Sequence, residues 1–177
     1  MKIGRIENLC KSAKRITIIN DKSLRIQWIG DGCCLYPLFK LPKLTAENIF
    51  AIFDIPEDKQ GKIFFDEREE LPAGLDFSDA TDEEAVVTPE KCSIVAEGST
   101  LIPIKCSTGV MLVDKKYLAP FEEDATFYER QRAKGGSYLV VKEGMLLAGV
   151  VLPWERTAEI GEWLVNIGEL IVGVEEK

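Results

Sequence analysis

SYLVVKEGMLLAGVVLP, residues 137–153, is two apolar runs rich in Val and Leu separated by Glu143-Gly144. Glycine tolerates the positive φ of a tight hairpin turn, so the string reads as two antiparallel strands. The N-terminal part of the chain holds a counterpart, SLRIQWIGDGCCLYPLF at 23–39, with Asp31-Gly32 at its turn. Pro37 lacks a backbone N–H, which places the second arm at a sheet edge or ends it early.

Outward from these hairpins, further strands are expected in RITIIND (15–21), KIFFDE (62–67), GVMLVD (109–114) and ATFYERQ (125–131). CSIVAEGSTLIPIKC (92–106) reads as another hairpin, turning at Glu97-Gly98-Ser99, and KKYLAPF (115–121) as a brief helical turn. Ile6, Leu9, Cys10 and Ala13 recur at helical spacing and predict a short helix with one buried face. Thr45 is a good N-cap for TAENIFAIFDI, as is Thr157 for TAEIGEWLVNIGEL, whose Ile160, Trp163, Leu164 and Ile167 form a core-facing stripe.

The two halves match without gaps at an offset of 112 residues. The identical pairs include Gly32/Gly144, Leu35/Leu147, Thr45/Thr157, Ala46/Ala158 and Glu47/Glu159, and they fall on turns and helix caps. Ten identities occur in the 49 positions from 13 to 61, where average composition gives roughly three. The expected fold class is therefore α+β, with two duplicated strand/helix units forming one pseudo-twofold domain over residues 1–177. Repeat 1 covers about 1–65, an acidic loop or linker 66–91, and repeat 2 about 92–177.

That loop, DEREELPAGLDFSDATDEEAVVTPEK, carries ten acids against two bases and no clear apolar period. Composition of this kind predicts a solvated, mobile segment. The net charge of −8 is uneven: residues 1–46 balance at +6 and residues 47–100 at −11. With residues 6–14 helical, Asn8, Lys11, Lys14 and Arg15 lie toward the wet side, and Lys22 and Arg25 follow on the adjoining strands. Lys11, Lys14, Arg15, Lys22 and Arg25 are the candidate nucleic-acid contacts, and the absence of a base-reading element implies weak binding indifferent to sequence.

Catalytic patterns are few. The chain has no histidine, which excludes Ser-His, Cys-His and His-metal chemistry. Gly30-Asp31-Gly32 lacks the third glycine and the helix of a dinucleotide loop, so it is a turn. Five cysteines at 10, 33, 34, 92 and 106 show no C-x-x-C spacing and read as reduced, structural thiols. No leader pattern and no membrane-length apolar run occurs, so a cytoplasmic location with no membrane partner is expected. No cofactor or metal is expected.

In element order, residues 110–151 (GVMLVD, KKYLAPF, ATFYERQ, SYLVVKEG and MLLAGVVLP) resemble the βαβββ unit of DNA sliding clamps, as residues 6–39 do without a clear first strand. The strings NLCKSAKRI, IQWIGDGCCLYPL, LVDKKYLAPF and VVKEGMLLAGVVLP also resemble an uncharacterised family of small proteins encoded in phage-like and mobile elements of Gram-positive bacteria. That resemblance implies a setting of mobile DNA and no catalytic residue. The function expected is a non-catalytic, clamp-like or adaptor module in DNA transactions, binding DNA through the N-terminal basic face or binding a protein partner. The alternatives are a small factor acting on a host or element enzyme, and a carboxylate-only, metal-dependent hydrolase.

Overall fold

The computed structural model describes residues 2–22, 25–39 and 41–154. Thr157 and the helix expected after it, with Ile160, Trp163, Leu164 and Ile167, lie outside the described residues.

The fold is mixed α+β and mostly sheet. Helix α1 (Ile3–Ala13) leads into β1 (Arg15–Asp21), β2 (Ile26–Gly30) and β3 (Cys34–Leu38). Helices α2 (Ala46–Ile52) and α3 (Glu57–Gln60) follow, then β4 (Phe64–Arg68), β5 (Ala85–Val87), β6 (Ile94–Ala96), β7 (Ser99–Cys106) and β8 (Gly109–Asp114). A 3-10 turn (Lys115–Leu118) precedes β9 (Thr126–Gln131), β10 (Ser137–Glu143) and β11 (Leu146–Val151). Eight strands form one sheet in the order β4-β1-β2-β3-β11-β10-β9-β5, and β6-β7-β8 form a smaller one.

The large sheet places two antiparallel meanders, β1-β2-β3 and β9-β10-β11, side by side and joins them where β3 meets β11. The expected edge position for the arm carrying Pro37 is corrected here, because β3 is an interior strand. Its ladder to β11 runs through Cys34 and Leu35, and Pro37, opposite Trp28 on β2, has no N–H with which to extend it.

Both faces of the meanders are covered, which is why β3 and most of β10 are buried without alternation. On one face, Ile6, Leu9 and Cys10 of α1, Ile49 of α2 and Ile104, Met111 and Val113 of the small sheet pack with Ile16, Ile18, Tyr36, Leu139 and Val141. Ala13, expected among the buried residues of α1, is exposed at the helix end. Thr45 caps α2 as expected, and Asn48 Oδ1 returns the bond by accepting from Thr45 N (2.8 Å).

The other face is covered in part by the acidic segment, most of whose residues are exposed while a few apolar ones pack on the sheet. Residues 66–68 complete β4 and residues 85–87 form β5. Between them Phe77 sits edge-on against Trp28 at 5.0 Å, and Leu71 and Leu75 pack beside it over Ile19, Leu35, Val140 and Val150. Polar ties reinforce this strap: Asp76 N donates to Tyr138 Oη (2.8 Å), and Leu147 N donates to Asp79 (2.8 Å). Glu84 meets Arg130 Nη2 at 2.6 Å and also pairs with Lys142. Composition does not show that Glu84 answers cations buried on the sheet: Arg130 and Lys142 are only 2% and 4% exposed.

Candidate nucleic-acid interface

The five basic residues singled out in the sequence do not share one face. Lys11 and Lys14 end α1 and border a depression that also takes Lys59 and Lys62. Arg15 points its guanidinium across Phe64 (5.0 Å to the ring centre) and reaches Asp66 at 3.7 Å. Lys22 and Arg25 border a separate hollow with Lys43 and Arg68, shared with Glu67 and Glu69, and Lys22 is paired with Glu69 at 2.6 Å.

The lysine-bordered depression, about 420 Å³, is assembled by local backbone geometry. Helix α1 stops because Lys14 turns left-handed (φ 51°), its N–H returning to the Cys10 and Lys11 carbonyls. This reversal lets Lys14 O accept from Phe64 N (2.9 Å), which docks the start of β4. Pro56 starts α3, and the turn after it brings Lys59 and Lys62 to the same rim. The floor is Ile55, Pro56 and Ile63, and Asp54 is the one acid in the lining. Lys11 is paired with Glu7 (2.6 Å), whereas Lys14, Lys59 and Lys62 are exposed and have no carboxylate partner among the described residues. Three unpaired ammonium groups above an apolar floor can neutralise phosphates while the floor packs sugar or base edges. Lys59 and Lys62 escaped the sequence reading because they fall in the part of the chain with acidic balance. Their signal was the local string DKQGK, in which Asp58 is the only acid.

Two buried polar centres serve the fold. At the β2–β3 turn, Asp31 accepts from Tyr117 Oη (3.0 Å), Cys34 Sγ (3.4 Å) and Cys33 N (3.0 Å). Tyr36 Oη donates to Tyr117 O at 2.8 Å, so the turn is pinned to the 3-10 segment. Burial, reinforced by the Asp31 charge, pushes the Cys10 thiol up to about 12. Burial also raises Cys34 and Tyr117, so these groups stay protonated and are poor nucleophiles. Glu129, 3% exposed, accepts from Ser107 N (2.7 Å), Ser107 Oγ (2.6 Å), Ser137 Oγ (2.6 Å) and Gln131 Nε2 (2.7 Å). Burial pushes its carboxyl up, but those donors outweigh it and hold the group below the usual range.

Among the described residues no three His, Cys, Asp or Glu side chains are grouped to hold a metal ion, and no helix is long and apolar enough to cross a membrane. No protein-family model, curated protein or solved structure matches the chain.

Proposed function

We propose that this chain is a non-catalytic module that binds a nucleic-acid backbone across the depression rimmed by Lys11, Lys14, Lys59 and Lys62. The observation carrying this reading is the grouping of three exposed, unpaired lysines around an apolar floor with a single acid. Among the described residues no element fit to read base edges adjoins it, so recognition is of phosphate spacing and charge rather than sequence. The setting implied by the sequence resemblance is the DNA transactions of a mobile element.

The scaffold supports a clamp-like reading as two copies of one unit. At the offset of 112 residues, β2 falls on β10 and β3 on β11, and α1 falls on the segment that opens with the 3-10 turn. Lys142 pairs with Leu147 as Gly30 pairs with Leu35, but beyond the irregularity at Val141/Lys142 the inner hairpins differ by one residue, Val141 facing Gly149 where Ile29 faces Tyr36. The outer strands have slipped: Gly30 faces Thr17, but Lys142 faces Thr126 rather than Glu129. We read this as an old duplication in which both hairpin registers of the second copy have drifted, with the β3–β11 seam on the pseudo-twofold axis.

The test is a titration of labelled single- and double-stranded DNA against the intact chain over a salt series. Three neutralised phosphates give a slope of log K on log salt of about −3 for duplex DNA. The Lys14→Glu, Lys59→Glu, Lys62→Glu variant is expected to lose binding while keeping its fold by circular dichroism. Equal affinity of both proteins, or no wild-type binding at tens of micromolar and low salt, overturns the proposal.

A further inference from the structure

Phe64 opens β4 with its side chain 59% exposed, although the next residue, Phe65, packs against Phe50 (ring centres 6.1 Å apart) at the border of the core. Successive strand residues point to opposite faces, so Phe64 stands on the other side of the sheet from Phe65, beside Arg15 in the parallel β1–β4 register. The Arg15 guanidinium lies over the Phe64 ring, 5.0 Å from its centre, and is steadied by Asp66 at 3.7 Å. Because β4 is the outermost strand of the large sheet, no further strand of that sheet borders the ring. A lone exposed apolar side chain is ordinary on a protein surface. This one is an aromatic ring held in place beside a basic rim: Phe64 N donates to Lys14 O (2.9 Å), and Lys62 and Ile63 of the lysine-bordered depression immediately precede it.

We infer that the nucleic acid taken here is single-stranded, with Phe64 as the platform on which an unpaired base stacks beside the phosphates held by Lys14, Lys59 and Lys62. This rests on the nucleic-acid reading above and narrows its ligand. In a duplex the base faces are stacked on one another, so an exposed ring meets only backbone and base edges. An unpaired strand can turn a base face onto it, and stacking of a base on an aromatic side chain tolerates any sequence because every base has a π-face. Arg15 adds a cation next to the stack. The charge is complementary as well, since Asp54 is the one acid in the lining of the depression. The apolar floor of Ile55, Pro56 and Ile63 is concave, which suits a flexible strand better than the convex backbone of a duplex.

Fluorescence anisotropy of the intact chain at low salt tests the inference with three labelled probes of equal length: an oligothymidylate single strand, the same backbone built of abasic residues, and a duplex. Wild type is expected to bind the oligothymidylate about tenfold more tightly than the abasic strand, within the usual worth of one stacked base, and more tightly than the duplex. Phe64→Ala is expected to bind the oligothymidylate as weakly as wild type binds the abasic strand, with its affinity for the abasic strand and the duplex unchanged. Phe64→Trp is expected to keep the preference, and its added indole emission should be quenched by the oligothymidylate and not by the abasic strand. The Lys14→Glu, Lys59→Glu, Lys62→Glu variant is expected to lose all three probes. Equal wild-type affinity for the oligothymidylate and the abasic strand, tighter binding of the duplex, or unchanged oligothymidylate affinity in Phe64→Ala overturns the single-strand assignment. The lysine interface then still stands if the triple variant has lost binding. A triple variant that binds as wild type does while Phe64→Ala is impaired removes the lysines and keeps the stacking platform. If Phe64→Ala does not fold, the emission of Phe64→Trp decides, and an unquenched indole overturns the assignment.

Discussion

Single side chains decide how closely the two meanders fit. A Cβ on Gly149 would lie 2.6 Å from the Phe121 ring and 3.1 Å from Tyr36, so this strand glycine exists to admit two aromatics. Gly149→Ala is expected to cost about 1–3 kcal/mol in denaturant unfolding through overpacking. Gly30 is stricter, since its Cβ would fall 1.7 Å from Cys34 O, a backbone atom that cannot swing away. Neither constraint was legible in the sequence: both glycines sit inside apolar strings, the aromatics facing Gly149 are distant in the chain, and the approach of Cys34 O to Gly30 depends on how the β2–β3 hairpin closes. The thiols make a second expectation. Burial raises Cys10 from 9.0 to about 12, so its contribution to stability is complete below pH 9 and is lost as pH rises toward 12. The melting temperature should therefore fall over that window, less steeply in Cys10→Ala. At pH 8 an alkylating reagent should label exposed Cys33 and Cys92 in the folded protein and spare Cys10 and Cys34.

At the scale of elements, the start of α2 and most strands were legible, because cap residues, apolar spacing and turn glycines are local signals. The hairpin at Glu143-Gly144 and the cap at Thr45 are where the sequence placed them. The strap was not legible: Leu71, Leu75 and Phe77 anchor it, too few for a period, and the role of Glu84 depends on the buried Arg130 and Lys142 opposite it. Phe77→Ala should cost about 3–5 kcal/mol, the usual range for emptying a packed aromatic site. Burial pushes the Glu84 carboxyl up, but its bonds to Lys142 and Arg130 outweigh this and hold it below the usual range. The sign is then fixed. The stability Glu84 confers is present above the ordinary carboxylate pKa and is lost as pH falls through its depressed folded value. Glu84→Gln is expected to lower stability near neutral pH and to flatten the acid limb of the unfolding curve. An unchanged acid limb would place the strap's hold elsewhere.

For the whole molecule, the matched halves suggested a symmetric partnership, but no residue pattern announced that β3 would join β11. Strand partners far apart in sequence are chosen by which apolar faces remain uncovered, and that is a property of the assembled sheet. Because both halves share this sheet, unfolding is expected to be a single transition, with the slowest amide exchange in β2, β3, β10 and β11. The candidate interface was legible in part: Lys11 and Lys14 stood out by charge, whereas Lys59 and Lys62 joined them through the reversal at Lys14 and the turn after Pro56. The measurement that tests the central claim most directly is a lysine footprint, in which a limiting amine-reactive reagent is applied with and without a short DNA duplex at low salt and modified sites are read by mass spectrometry. DNA is expected to protect Lys14, Lys59 and Lys62 together and to leave Lys22, Lys43 and Lys134 as reactive as before. Protection confined to Lys22 and Lys43, or no difference at any lysine, would contradict a nucleic-acid interface at the end of α1.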